Sequence, residues 1–267
     1  MILVFDVGNT ETTIGLFDGD HLAGHWRITT DVPRTPDEYG LLVRALVASV
    51  GDGRPLSGAA IGSVVPRATT PLADACTAWM RVNPVIIDAR SPLPIRLDVD
   101  EPMTVGADRI INTLAASRLY ARDAIVVDLG TATTFDCITG DGVFLGGVIA
   151  PGVATSAETL FRRTSKLPAT ELVPPKSVIG KRTEECVRAG VVLGAASAID
   201  GLVRRIKAAW PRAEVPLVIA TGGFAPSFRG LCEEFDLVEP TLTLRGLRLA
   251  YDHLTAATPR APARGGN

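Results

Sequence analysis

Asp6-Val7-Gly8-Asn9-Thr10-Glu11-Thr12-Thr13 and, much later in the chain, Asp128-Leu129-Gly130-Thr131-Ala132-Thr133-Thr134 are two versions of one phrase. Each follows an apolar run (Ile2 to Phe5; Ile125 to Val127) and leads into another (Ile14 to Phe17; Phe135 to Ile138). Each therefore reads as strand, tight polar turn, strand. The turn composition suits phosphate: Gly8 and Gly130 let the backbone approach a ligand closely, and Asn and Thr side chains add donors. Asp6 and Asp128, each closing a first strand, can hold a cation directly or through water. Alone, either copy could be an ordinary Asp-Gly turn. Two copies in matching contexts point to two similar half-domains facing a shared nucleotide cleft.

The elements around the turns repeat as well. After the first hairpin come a strand at 21–28 and a helix at 35–50, announced by Thr35, Pro36, Asp37 and Glu38. A strand at 59–65, a helix at 71–80 and a strand at 85–88 follow, then a Pro-rich, charged connector at 89–101. A helix at 107–120 carries Ile110, Ile111, Leu114, Ala115 and Leu119 at helical spacing. Strands at 125–127, 135–138 and 143–149 then repeat the opening order. Beyond a loop at 164–180 lie a helix at 183–210, a strand at 217–220 running into Thr221-Gly222-Gly223, and helices at 228–235 and 242–254. A strand that empties into glycines is where an open α/β sheet places ligands. The expected boundaries are half-domains at 1–100 and 101–254 and a disordered tail at 255–267.

At 267 residues and 46% hydrophobic content the chain can bury a full core. Its net charge of −2, with no basic run, argues against a nucleic-acid surface. Cys76, Cys137, Cys186 and Cys232 form no C-x-x-C pair, so reduced thiols are expected rather than zinc or disulfides. The first residues have no signal-peptide pattern and no apolar run reaches membrane-spanning length, which leaves a cytoplasmic protein with no membrane partner. His21, His25 and His253 are too scattered for a metal cluster.

Neither a Walker-type loop nor a G-x-G-x-x-G after a strand is present. Paired D-x-G turns with a later glycine pair resemble the superfamily of sugar kinases, heat-shock chaperones and actin. Between the two turns, Val105-Gly106-Ala107-Asp108-Arg109 offers a carboxylate at a helix start, able to accept the proton of an attacking hydroxyl, and a guanidinium for an anionic acceptor. The plainer alternative is that Asp108 only favours the helix N-terminus.

Seven motifs in order resemble the type III pantothenate kinase family: D-V-G-N-T at 6, V-G-A-D-R at 105, D-L-G-T-A-T-T at 128, G-G-V-I-A-P-G at 146, T-S-K-L-P at 164, G-K-R-T-E-E at 180 and T-G-G at 221. That resemblance implies an α/β fold of two actin-like (ribonuclease H-like) half-domains, each a mixed sheet flanked by helices, with an interdomain nucleotide cleft. It implies ATP-dependent phosphorylation of the primary hydroxyl of pantothenate, the first step towards coenzyme A. Asp6, Val7, Gly8, Asn9, Thr10, Glu11, Thr12 and Thr13 would contact ATP, with Thr131. Asp108 would be the general base; Gly106, Ala107, Asp108, Arg109 and Thr183 would bind pantothenate; and Asp128 would ligate a monovalent cation, K+ or NH4+. Mg2+ would accompany ATP, and a homodimer would bring the Thr183 contact to the subunit interface.

Two positions depart from the family pattern. Met103 stands where a Tyr is frequent beside the substrate, and Glu11 stands where Asn or His is usual, adding negative charge near phosphates. A non-catalytic transcription regulator on the same fold and a kinase for another small hydroxy acid are the competing readings.

Overall fold

The computed structural model describes residues 1–50 and 53–256. Among these residues apolar runs build two sheets from eleven strands: β1 Ile2–Val7, β2 Glu11–Asp18, β3 His21–Thr29, β4 Gly58–Ser63, β5 Pro84–Ile87, β6 Arg96–Leu97, β7 Ala124–Leu129, β8 Ala132–Ile138, β9 Val143–Pro151, β10 Leu217–Thr221 and β11 Leu237–Val238. Among the described residues seven α-helices accompany them: α1 Pro36–Val50, α2 Pro66–Met80, α3 Ala107–Tyr120, α4 Val153–Arg163, α5 Thr183–Ala208, α6 Ala225–Phe228 and α7 Leu242–Ala256.

The first sheet runs β3-β2-β1-β4-β5, and the second β11-β10-β7-β8-β9-β6. Taken from its other edge, the second sheet repeats the first strand for strand, with β6 added beyond β9. In both, a central strand pairs antiparallel with its hairpin partner and parallel with a later strand. Each sheet is therefore mixed and helix-flanked, as the motifs predicted.

The chain forms two compact units. Of the described residues, one holds those of 1–94, 103–114 and 244–256; the other holds 95–102 and 115–243. The sequence predicts instead a single boundary near residue 100. Side chains explain the interleaving: Gly62 of β4 lies under Ile111 of α3 and Leu247 of α7, and Gly58 lies under Tyr251. The core of the first unit gathers Leu3, Phe5, Ile14, Leu16, Tyr39 and Leu72. That of the second gathers Ile125, Val127, Phe135, Ile199, Val203 and Phe228.

Local signals set most element ends. At α1 the Glu38 carboxylate accepts from Thr35 N at 2.7 Å while Glu38 N donates to Thr35 Oγ1 at 3.3 Å, a reciprocal cap. Four elements differ from expectation. Helix α2 begins at Pro66, not Pro71, because proline at the first helical position gives up nothing, and the helix carries Pro71 inside it despite the lost N–H bond and the crowding of the Arg67 carbonyl by its ring. The helix expected at 228–235 is the short α6 instead: the Asp200 carboxylate takes Glu233 N at 3.0 Å and Glu234 N at 3.1 Å, diverting them from helical bonds. Strands β6 and β11, two residues each, carry too little pattern to be read. Thr255 and Ala256 finish α7 rather than opening a tail, and the rest of the expected tail, 257–267, lies outside the described residues.

The expectation that no run reaches membrane-spanning length also needs correction. Among the described residues one helix, α5, is long and apolar enough by length and composition. One face of it, with Val192, Ala196, Ile199 and Val203, packs in the second core.

Candidate functional site

The first D-x-G turn is a four-residue loop. Val7 and Thr12 are the last paired residues, and Gly8 N donates to Glu11 O at 3.0 Å. Asn9, Thr10 and Glu11 are exposed at its tip. The loop is strapped to the end of β3: Thr30 N donates to Thr10 O at 2.8 Å, and the buried Thr12 and Thr30 hydroxyls meet at 2.7 Å. Across the sheet Asp6 pairs with Thr13, which pairs with Arg27, so these three side chains share a face, opposite the core. The Glu11 carboxylate reaches Arg27 at 3.3 Å, with both side chains about half exposed (49% and 56%). The extra acid in the motif thus brings its own cation.

The α3 terminus stands at the same end of this sheet. Val64 N donates to Val7 O at 3.1 Å, and a Cβ on Gly106 would lie 3.3 Å from Val64 Cγ1 and overlap Asp108 Oδ1. A side chain at Gly106 would therefore push the Asp108 carboxylate out of its place. Gly106 O accepts Ile110 N at 3.2 Å as α3 begins. Asp108 lies in the first turn of α3, where the helix dipole favours its negative charge. Its Oδ1 takes the Arg109 N–H at 2.9 Å. Asp108 and Arg109 are half-buried and Met103 is exposed just upstream. One unit thus brings together residues 6–13 and 106–109.

The other unit holds the second turn, a three-residue loop between Leu129 and Thr133, closed by Gly130 N to Ala132 O at 3.0 Å. Neighbouring backbone encloses it. Gly152, where α4 starts, is so close that a Cβ there would strike the carbonyls of Gly130 and Thr131. Gly222 has φ +89°, and a Cβ there would strike Asp128 Oδ1 and come within 2.7 Å of Leu129 N. Thr131 is exposed while its carbonyl accepts the Thr155 hydroxyl at 2.6 Å. Asp128 pairs in parallel register with Thr221. Sequence reasoning missed Thr221, Gly152 and Arg27; the first two lie inside motifs it had noticed, T-G-G and G-G-V-I-A-P-G.

Thr183 begins α5 and is exposed. Beside it the Lys181 N–H, 2.9 Å from Glu185 Oε2, holds that carboxyl below the usual range. Thr183 borders a hollow of about 640 Å³ lined by Ser156, Leu160, Leu167, Cys186 and Gly190 among others. Among the described residues no three His, Cys, Asp or Glu side chains gather to hold a metal. Any divalent ion here would depend on phosphate and water oxygens with one or two carboxylates, which is magnesium's habit.

Solved structures resemble the chain at the level of fold. A Campylobacter jejuni protein assigned to the Baf family of transcriptional activators aligns over 95% of this chain and 99% of its own, with TM-score 0.59 and 17% identity. The activator of 2-hydroxyisocaproyl-CoA dehydratase from Clostridium difficile, solved with ADPNP, aligns over 99% of both at TM-score 0.57 and 14% identity. The architecture is that of actin-like ATPases and sugar kinases. In sequence, a type III pantothenate kinase of Roseiflexus sp. (strain RS-1) is 46% identical over 253 residues, covering 94% of this chain and 98% of the relative. The family model described as type III pantothenate kinase matches residues 2–205. With that family model and that identity over nearly the whole length, the chain belongs to the type III pantothenate kinase family.

Proposed function

We infer that the chain transfers the γ-phosphoryl group of ATP to the primary hydroxyl of pantothenate, giving 4′-phosphopantothenate for coenzyme A synthesis. Family membership supports the substrate pair. The observation that carries the mechanism is Asp108, fixed on the first turn of α3 at the sheet end that also delivers the first D-x-G turn.

In this reading each unit contributes its own D-x-G turn to ATP. The exposed tip of the first turn offers its N–H groups and the Asn9 and Thr10 side chains to the ATP phosphates, and Thr131 adds a contact from the second turn. Asp108 accepts the proton of the acceptor hydroxyl as the new bond forms, while Arg109 holds the pantothenate carboxylate. Phosphoryl transfer demands mostly alignment and charge stabilisation. Magnesium, arriving with ATP, would supply charge neutralisation on the phosphates.

A monovalent cation, potassium or ammonium, is assigned to Asp128. An orphaned buried oxygen beside it, the Thr221 hydroxyl, fits such a group. A homodimer completes the site near Thr183. Its support is the outward face of α5, where Gly190 and Gly194 would have nothing within 4 Å of an added Cβ, leaving room for close approach. A cytoplasmic location agrees with four free cysteines, of which burial pushes the Cys76 and Cys232 thiols up to about 12.

The test is mass spectrometry of the acceptor after incubation with Mg-ATP. A phosphorylated pantothenate formed by wild-type protein and absent with Asp108→Asn is expected. Unchanged formation by that variant removes Asp108 from the mechanism. No product from wild type would leave the regulator reading standing, and phosphorylation of a different hydroxy acid in its place would favour the third.

A further inference from the structure

Thr221 ends β10 and is 1% exposed, and its hydroxyl oxygen has no hydrogen-bond partner. A buried, unmatched hydroxyl costs about 1–3 kcal/mol, so a native position that keeps one calls for an explanation. A β-branched residue is at home at a strand end, but valine would fill that role without the cost.

The neighbours supply the explanation. In the parallel pairing of β7 with β10, Thr221 stands directly beside Asp128. Val127, Leu129, Val218 and Ala220 point into the core of this unit, so Asp128 and Thr221 point together from the opposite face. Adjacent strands lie about 4.8 Å apart, which puts the two side chains within reach of one small ligand. The next residue, Gly222, turns its backbone at φ +89° directly against Asp128 Oδ1. The carboxylate and the hydroxyl therefore share one cramped corner, closed by a glycine that tolerates no side chain.

The first unit is the control for this pattern. There the residue beside Asp6 in the matching parallel pair is Gly62, and Ile111 fills the space a side chain would need. Both Asp residues have a threonine across the hairpin, Thr13 and Thr134, but on the parallel side an oxygen-bearing side chain stands beside the Asp in the second unit alone of the two.

We propose that the Thr221 hydroxyl is a second protein ligand of the monovalent cation assigned to Asp128. One carboxylate and one neutral oxygen suit a singly charged ion, which is held by oxygen dipoles with a single compensating charge. The inference rests on the cation reading given above for Asp128.

The test is the thermal unfolding of the full chain, with Mg-ADP present throughout, titrated with KCl against choline chloride at constant ionic strength. Wild type gains stability with potassium and not with choline, and Asp128→Asn loses that gain. Thr221→Val unfolds at the wild-type temperature or higher in choline, since the orphaned hydroxyl is gone, yet needs about ten- to a hundredfold more potassium for the same gain. Thr221→Ser restores the response. A wild-type potassium response that Thr221→Val leaves unchanged overturns the assignment of Thr221 while sparing Asp128. So does a Thr221→Val variant that responds normally to potassium but binds ADP more weakly, which would make the hydroxyl a nucleotide contact. Absence of any potassium-specific gain in wild type overturns Asp128 as the cation site, and Thr221 with it.

Discussion

The two D-x-G turns have almost the same words and the same strand frame, but unlike surroundings. The first is a four-residue loop with an exposed tip, Asp6 beside Gly62, and Glu11 paired with Arg27 at 3.3 Å. The second is one residue shorter, hemmed in by Gly152 and Gly222, with Asp128 beside a buried threonine. An open tip with its own cation suits the long polyanion of a nucleotide, and a closed corner with two oxygens suits a small ion. In the proposed function it is the residues packed around a repeated turn, more than the turn itself, that would divide the work between the copies.

Four outcomes put that division at risk. The largest concerns a residue outside both turns: Asp108→Asn should lower kcat by about 10²–10⁴-fold while ATP affinity stays at the wild-type value in a binding titration. A matching loss of ATP affinity would mean that Asp108 belongs to the first turn after all. Next comes backbone strain. Gly222→Ala should cost on the order of 3 kcal/mol in denaturant unfolding, from its positive φ and its overlap with Leu129 and Asp128. Gly8→Ala, whose Cβ would meet only Glu11 O at 3.0 Å, should cost about 1 kcal/mol or less. Equal costs would deny the second turn its tighter enclosure.

Third, Asp6→Asn should raise the KM for ATP at any potassium concentration, whereas Asp128→Asn should flatten the potassium dependence. An exchange of these two phenotypes would reverse the assignment of the turns. The smallest effect belongs to Glu11→Gln. An ion pair this exposed contributes roughly 0–1 kcal/mol, so stability should barely change. With Arg27 released towards the phosphates, the KM for ATP should fall or hold steady; a clear rise would make Glu11 itself a ligand of the magnesium that arrives with ATP.

Much of this was legible in the sequence because the signals were local. Thr35 and Glu38 cap α1 reciprocally as their spacing predicted, and the expected helix at 107–120 is α3, residue for residue. The turn residues of both hairpins were readable from glycine and alternating hydrophobicity. Three kinds of information were not. The Glu233 and Glu234 N–H groups go to Asp200, far away in sequence, so a helix read from local pattern dissolves. The N-terminal half of α3 and all but the first two residues of α7 belong with the first unit because Ile111 and Leu247 cover Gly62, a fact of packing that no boundary composition records. The corner of Asp128 and Thr221 arises from strand pairing across more than half of the second unit, and neither residue advertises the other. The residues themselves suggested a proton acceptor at Asp108 and a cation at Asp128, and the family resemblance narrowed these to a general base and a monovalent ion; the orphaned hydroxyl shows only in the folded structure.

Everything above depends on a kinase whose acceptor is pantothenate and whose second turn holds a monovalent cation. The decisive measurement is ADP release by the wild-type protein with Mg-ATP, with and without pantothenate, in potassium and in choline buffer. Release should require pantothenate and fall sharply when choline replaces potassium. Release that ignores pantothenate would contradict the kinase, and release that ignores potassium would contradict the role given to the second turn.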